Sequence, residues 1–234
     1  MKKVLIGGCS FSQYCGFPTK NTKPIWTSWT DFFLRDYGSI FDITNCAQSS
    51  FGQSRIVESI TDELIKNNFN IDYVIIQWSA VGRAYSTTDK DFFEKMVTQS
   101  ELSFSPHIQE YIINTDKEGW STNLINQIST SFYKSSLHQI FLMKCLLESK
   151  NIRYKMFWGW EQITPQIESE TKQLLNLIYD ETFWKVNNHG GMSEWILSNM
   201  SEAEGFVGGG DFHPSTKGQE FFYNTIIKDT IKLI

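Results

Sequence analysis

The chain has 234 residues, of which 41% are hydrophobic, 20% charged and 15% aromatic, and its formal charge is -5. This length suits a single domain spanning residues 1–234, with a core large enough to need no disulfide or metal staple. The acidic balance, without a long basic run, excludes nucleic acid or an anionic membrane as the main partner, and no stretch approaches the roughly 20 apolar residues of a membrane span.

Residues 3–7 form a short apolar run that ends in Gly7-Gly8-Cys9-Ser10. The two lysines before it suggest a lipoprotein signal only in outline. The apolar part is shorter than the about 7 to 15 residues an h-region needs, so the segment reads as a first strand and not as a signal peptide. Residues 26–37 have an amphipathic pattern and are expected to be helical. Residues 41–45 read as a strand. Residues 53–66 place Ile56, Ile60, Leu64 and Ile65 at helical spacing, and residues 73–77 return to a buried-strand pattern. Residues 84–121 are polar and aromatic without periodicity, and are expected to form an insertion beside the carboxyl edge of the sheet. A long helix is expected over 124–150, a strand over 153–158, and a helix over 165–180 opened by Pro165. A fifth strand is placed at 182–186. Pro214 is expected to open the last helix, which runs towards Leu233.

Strands without clean alternation, separated by helices, define an α/β chain. The expected architecture is a three-layer α/β/α sandwich with a mostly parallel, roughly five-stranded sheet of flavodoxin-like type. The four cysteines, Cys9, Cys15, Cys46 and Cys145, include no C-x-x-C pair and do not form a disulfide framework. Free thiols fit a reducing compartment. His107, His138 and His189 lack partners at ligand spacing, and the chain has no P-loop or dinucleotide fingerprint, so neither a metal nor an organic cofactor is expected.

The chemistry concentrates at the two ends. Ser10 follows the first strand directly, on a turn whose backbone N–H groups could hold an oxyanion. Gly210-Asp211-Phe212-His213-Pro214 places a carboxylate two residues before an imidazole. Serine, histidine and aspartate together make an activated hydroxyl nucleophile. The G-x-S-x-G elbow of α/β-hydrolases is not satisfied, because Ser12 stands at its second glycine.

In four blocks the chain resembles the SGNH (GDSL-type) hydrolases. Gly8-Cys9-Ser10-Phe11-Ser12 is similar to the Gly-Asp-Ser block, with Cys9 in place of Asp. Asn45 to Ile56 is similar to the block whose Gly supplies a backbone N–H, with Ser50 at that position by alignment and Gly52 by residue type. Gln77-Trp78-Ser79 stands where Gly-x-Asn is usual, with Ser79 for Asn. Asp211-Phe212-His213 is similar to the last block, one residue shorter than Asp-x-x-His. The pattern after the third strand, with Trp78, Ser79 and Arg83, looks most like divergent members from bacteriophages.

The resemblance implies a serine esterase or acylhydrolase. Ser10 would be the nucleophile, His213 the base and Asp211 its orienting partner. Ser10, Ser50 or Gly52, and Ser79 would form the oxyanion hole, and Trp78 and Arg83 would meet substrate. It implies a small-molecule or glycan ester as substrate, and the aromatic rim without a long apolar lid segment fits an acetyl group on a carbohydrate. Two rivals remain on the same fold: a glycan-binding or virion structural protein, and an O-acyltransferase. A cytoplasmic or virion-associated location is expected, and self-association into a homo-oligomer is left open.

Overall fold

In a computed structural model, residues 1–19, 24–49, 51–79, 122–160, 165–185, 190–208 and 211–228 are described. The expected insertion at 84–121, Ser50, Arg83, His107, His189 and most of the glycine run lie outside them.

Five short, apolar segments pair as parallel strands: β1 (Lys2–Gly7), β2 (Phe41–Asn45), β3 (Tyr73–Trp78), β4 (Arg153–Trp158) and β5 (Phe183–Trp184). They run in the order β2-β1-β3-β4-β5. Register is continuous, with Val4 opposite both Ile43 and Tyr73, and Ile76 opposite Met156. Helices α1 (Trp29–Tyr37), α2 (Gln53–Lys66), α3 (Thr122–Ser149) and α4 (Pro165–Ile178) lie between strands. Then come α5 (Met192–Asn199), a single turn α6 (Glu202–Gly205), an antiparallel pair β6 (Phe206–Gly208) and β7 (Asp211–Pro214), and α7 (Thr216–Phe222), which widens into a π-helical turn over Tyr223–Ile227.

Side-chain alternation along the strands builds the three layers. Leu5, Val74, Ile76, Tyr154, Met156 and Trp158 face α2, α3 and α4, against Ile56, Ile60, Leu137, Ile140 and Leu175. Val4, Ile6, Ile75 and Phe157 face the opposite way, against Trp29, Phe32 and Phe33 of α1, Met192 and Ile196 of α5, and Phe222, Tyr223 and Ile227 at the end of the chain. Both faces of the sheet are therefore covered, which is why its strands read as near-continuous apolar runs.

Several boundaries differ from the sequence reading. The first helix begins at Trp29, not at 26, because Ser28 caps it: Asp31 returns a bond to the Ser28 backbone and closes a capping box. Pro214 does not open the last helix. It closes β7, opposite Phe206, and Ser215 is the cap, accepting from the Gly218 N–H at 3.1 Å. The antiparallel pair and α5 were not expected, since three- and four-residue strands carry too little pattern to detect. Among the described residues no helix is long and apolar enough to cross a membrane.

The order 2-1-3-4-5 reverses the direction of winding between β1 and β3. In open α/β sheets the crevice outside the carboxyl ends of those two strands is the ligand position. Ser10 leaves β1 there and Ser79 leaves β3 beside it.

Candidate active site

The turn after β1 is built as a rigid part. The Ser12 N–H donates to the Cys9 carbonyl at 3.0 Å, and the Gln48 N–H donates to the Gly8 carbonyl at 3.2 Å. The Ser12 carbonyl accepts from Asn45 Nδ2 at 2.8 Å and Thr30 Oγ1 at 3.1 Å. The Ser12 hydroxyl accepts from Trp29 Nε1 at 2.9 Å and donates to Gln77 Oε1 at 3.1 Å. That same Gln77 oxygen accepts from the Cys9 N–H at 3.2 Å and from Cys9 Sγ at 3.3 Å, while Gln77 Nε2 donates to the Trp78 carbonyl at 2.7 Å. Gln77 is fully buried. It ties the β1 turn to the end of β3.

Glycine is required at two places around this tie. A Cβ on Gly8 would stand 2.9 Å from Ser12 Oγ and 3.0 Å from Gln77 Oε1, and one on Gly159 would stand 2.3 Å from Gln77 Nε2.

The clamped turn presents Ser10, only 2% exposed. Its Oγ lies 2.7 Å from His213 Nε2 across a separation of 203 residues. His213 reaches this point from β7, held by the pairing of Phe206 with Pro214 and by the Ser215 N–H, which donates to the Gly205 carbonyl at 2.8 Å. Its ring stacks on Trp26, with centroids 4.7 Å apart and planes 16° apart, and meets the edge of Phe11 at 5.3 Å. Phe11 in turn packs against Trp160 at 4.6 Å. Asp211 begins β7, two positions before His213.

Gly52 is the buried N-cap of α2, in extended backbone and with no capping side chain. Gln53 follows and donates from Nε2 to the Ser79 carbonyl at 2.7 Å. Ser79 is fully buried, and its hydroxyl has no hydrogen-bond partner among the described residues. The structure therefore brings Ser10 and His213 into contact and sets the N-terminus of α2 against the residue that follows β3. Trp78 is a correction. It is fully buried within the core on the α2–α3 face of the sheet, so it offers no face to a substrate. Strand alternation explains this, because Trp78 shares the face of Val74 and Ile76.

Two thiols and a phenol on the neighbouring segments are held neutral. Burial, reinforced by the Asp31 carboxylate, pushes the Cys15 thiol up to about 11 and the Tyr14 phenol up to about 12. Burial pushes Cys46 up to about 11. The Asp31 carboxylate is itself occupied, accepting from the backbone N–H groups of Cys15, Gly16 and Ser28 at 3.1, 2.9 and 2.8 Å. Among the described residues no group of three metal-ligating side chains is present. His138 lies away from this constellation, with Nδ1 at 2.7 Å from the Lys134 carbonyl.

Sequence reasoning missed Trp26, Gln53 and the tying role of Gln77. Gln77 carried a signal: it is the one amide in the otherwise apolar run 73–78. Trp26 carried none, since it meets His213 only through the fold.

The structure thus sets a serine hydroxyl against an imidazole at the switch point of a doubly wound parallel sheet, where such folds bind ligands. No protein-family model and no curated protein matches the chain. Solved structures do. The psychrotrophic esterase EstA from Pseudoalteromonas sp., in a structure inhibited by monoethylphosphonate, matches at 11% identity and a TM-score of 0.55, over 100% of this chain and 98% of that one. Axe2, an acetylxylan esterase from Geobacillus stearothermophilus, matches at 13% identity and a TM-score of 0.47, over 97% and 93%. A lipase/acylhydrolase from Enterococcus faecalis matches at 11% identity and a TM-score of 0.40, over 100% and 97%. The chain has an α/β/α fold of the SGNH type, which it shares with the Pseudoalteromonas esterase at 11% identity.

Proposed function

We propose that this protein is a serine esterase that removes an acyl group from an ester through a covalent acyl-enzyme. The observation that carries the reading is the 2.7 Å contact between Ser10 Oγ and His213 Nε2. With the imidazole neutral and its proton on Nδ1, the serine hydroxyl donates to Nε2, as a nucleophile about to be deprotonated must. Oγ attacks the ester carbonyl while its proton passes to His213. The resulting oxyanion is met by the backbone N–H groups of Ser10 and Gly52 and by the Ser79 hydroxyl, which has no other partner among the described residues. On collapse, the C–O bond to the alcohol breaks and His213 returns the proton to the departing oxygen. Water then repeats the sequence and frees the acid. Asp211, two residues before His213 on the same strand, is assigned the orienting role and stabilises the imidazolium.

The alcohol leaves on the His213 side of the nucleophile, where half-buried Trp160 stands beside Phe11. Aromatic walls suit the C–H face of a sugar, so an acetylated carbohydrate is the proposed substrate class. Treatment with a fluorophosphonate probe, beside turnover of p-nitrophenyl acetate and of acetylated xylose, tests the reading. Covalent labelling of the wild type that disappears in Ser10→Ala, with hydrolysis lost by about a thousandfold or more, is expected. Wild-type protein that neither labels nor hydrolyses under conditions that label a known esterase overturns it.

A further inference from the structure

A histidine ring is poorly fixed by its own backbone, because the torsion that turns the imidazole about its Cβ–Cγ bond has a broad minimum. Holding Nε2 at 2.7 Å from Ser10 Oγ therefore needs something beyond the strand that carries His213. Trp26 lies face to face on the ring, with only 16° between the planes, and Phe11 meets it edge-on at 65°. A rotation of the imidazole away from Ser10 would drive its edge into the indole face.

Trp26 is in turn fastened to the element that follows His213. The Thr27 N–H donates to Thr216 Oγ1 at 2.9 Å, and the Trp29 N–H donates to Gln219 Oε1 at 3.0 Å. Thr27, Trp29 and Gln219 are all fully buried. The strand carrying the imidazole runs directly into α7, so the same two bonds register the indole against β7. Nothing in the four-block resemblance assigns a role to this position.

We infer that Trp26 is a positioning residue of the proposed reaction: its indole face locks the His213 ring in the orientation that receives the Ser10 proton, and it then faces the imidazolium that forms. The inference rests on the esterase reading above.

The test compares Trp26→Leu and Trp26→Phe with the wild type. Turnover of p-nitrophenyl acetate reads kcat and KM. The ring-proton NMR resonances of the histidines, assigned with His213→Asn, read the stack without reference to activity. Trp26→Leu is expected to lower kcat about ten- to a hundredfold with KM within about threefold, since a misplaced catalytic group costs on that scale. Trp26→Phe is expected to recover most of the loss. The ring-current shift of the His213 protons disappears in Trp26→Leu and persists in part in Trp26→Phe. An unchanged kcat in a folded Trp26→Leu protein, or a His213 resonance indifferent to the substitution, overturns the inference. A wild-type protein with no esterase activity but with a shifted His213 resonance overturns the esterase reading and leaves the stack standing.

Discussion

Replacing Gln77 by leucine removes the tie between the two strands that carry the candidate site at nearly constant volume. The magnitude follows from its partners. The Cys9 N–H, buried at the end of β1, loses the acceptor at 3.2 Å. The Ser12 hydroxyl loses its acceptor at 3.1 Å but keeps the bond it accepts from Trp29 Nε1. The Trp78 carbonyl loses the Gln77 amide but keeps the Gly159 N–H at 2.7 Å. A buried donor left unsatisfied costs about 1–3 kcal/mol. Two such donors, with the second able to rotate, bring the expected loss to about 2–5 kcal/mol. The thiol bond from Cys9 adds little, because S–H is a weak donor. Urea unfolding of wild type and Gln77→Leu at neutral pH measures the difference as a fall in midpoint with an unchanged slope. The proposed esterase activity is expected to fall as well at temperatures where the variant is folded, because the turn that presents Ser10 is no longer registered against β3. A Gln77→Leu protein within about 0.5 kcal/mol of wild type, an ordinary surface-substitution effect, would refute the claim that this amide holds the turn.

Two further outcomes follow from charges and thiols. Asp36 is bonded to Arg35 at 2.7 Å, Tyr223 at 3.0 Å and Lys228 at 3.1 Å, and the Arg35 bond, with help from Lys228 and Tyr223, holds its carboxyl down to about 2. The unfolded value is about 3.9, so the folded state binds the proton more weakly: the stabilisation is present above about pH 4 and is lost as pH falls through about 2. Asp36→Asn should therefore lower the thermal midpoint at pH 7, with the gap to wild type closing between about pH 4 and 2; a gap independent of pH would contradict the network. Cys15 and Cys46, both pushed up to about 11, should react slowly with a thiolate-selective disulfide reagent at pH 8 and at the rate of a free thiol only after unfolding in urea; rapid modification of either in the native protein would contradict their burial.

The physics of short-range pattern explains which parts of this molecule were readable in its amino acids. Buried parallel strands announce themselves as apolar runs, so β2 and β4 appear at their observed bounds and β1 and β3 within one residue. Helix α2 is likewise legible because Ile56, Ile60 and Leu64 all lie on the one face that the sheet buries. The short pair β6–β7 was not legible, and so the stretch around His213 read as a loop leading into a helix. Ser10 and His213 were legible as candidates only because their local surroundings are unusual, a Gly-Gly turn in one case and an Asp-x-His in the other.

Residue identity by itself determined the α/β class, the run of strands and helices, and the pair of side chains worth bringing together. Tertiary structure decided the rest. It closed a separation of 203 residues to 2.7 Å, took Trp78 into the core, and set Trp26 on the imidazole and Gln77 beneath the serine turn. The reason is physical. Secondary structure is written in spacings of two to four residues, whereas a site at the switch point of a sheet is assembled from chain segments that share no local pattern and meet only when both faces of that sheet are buried.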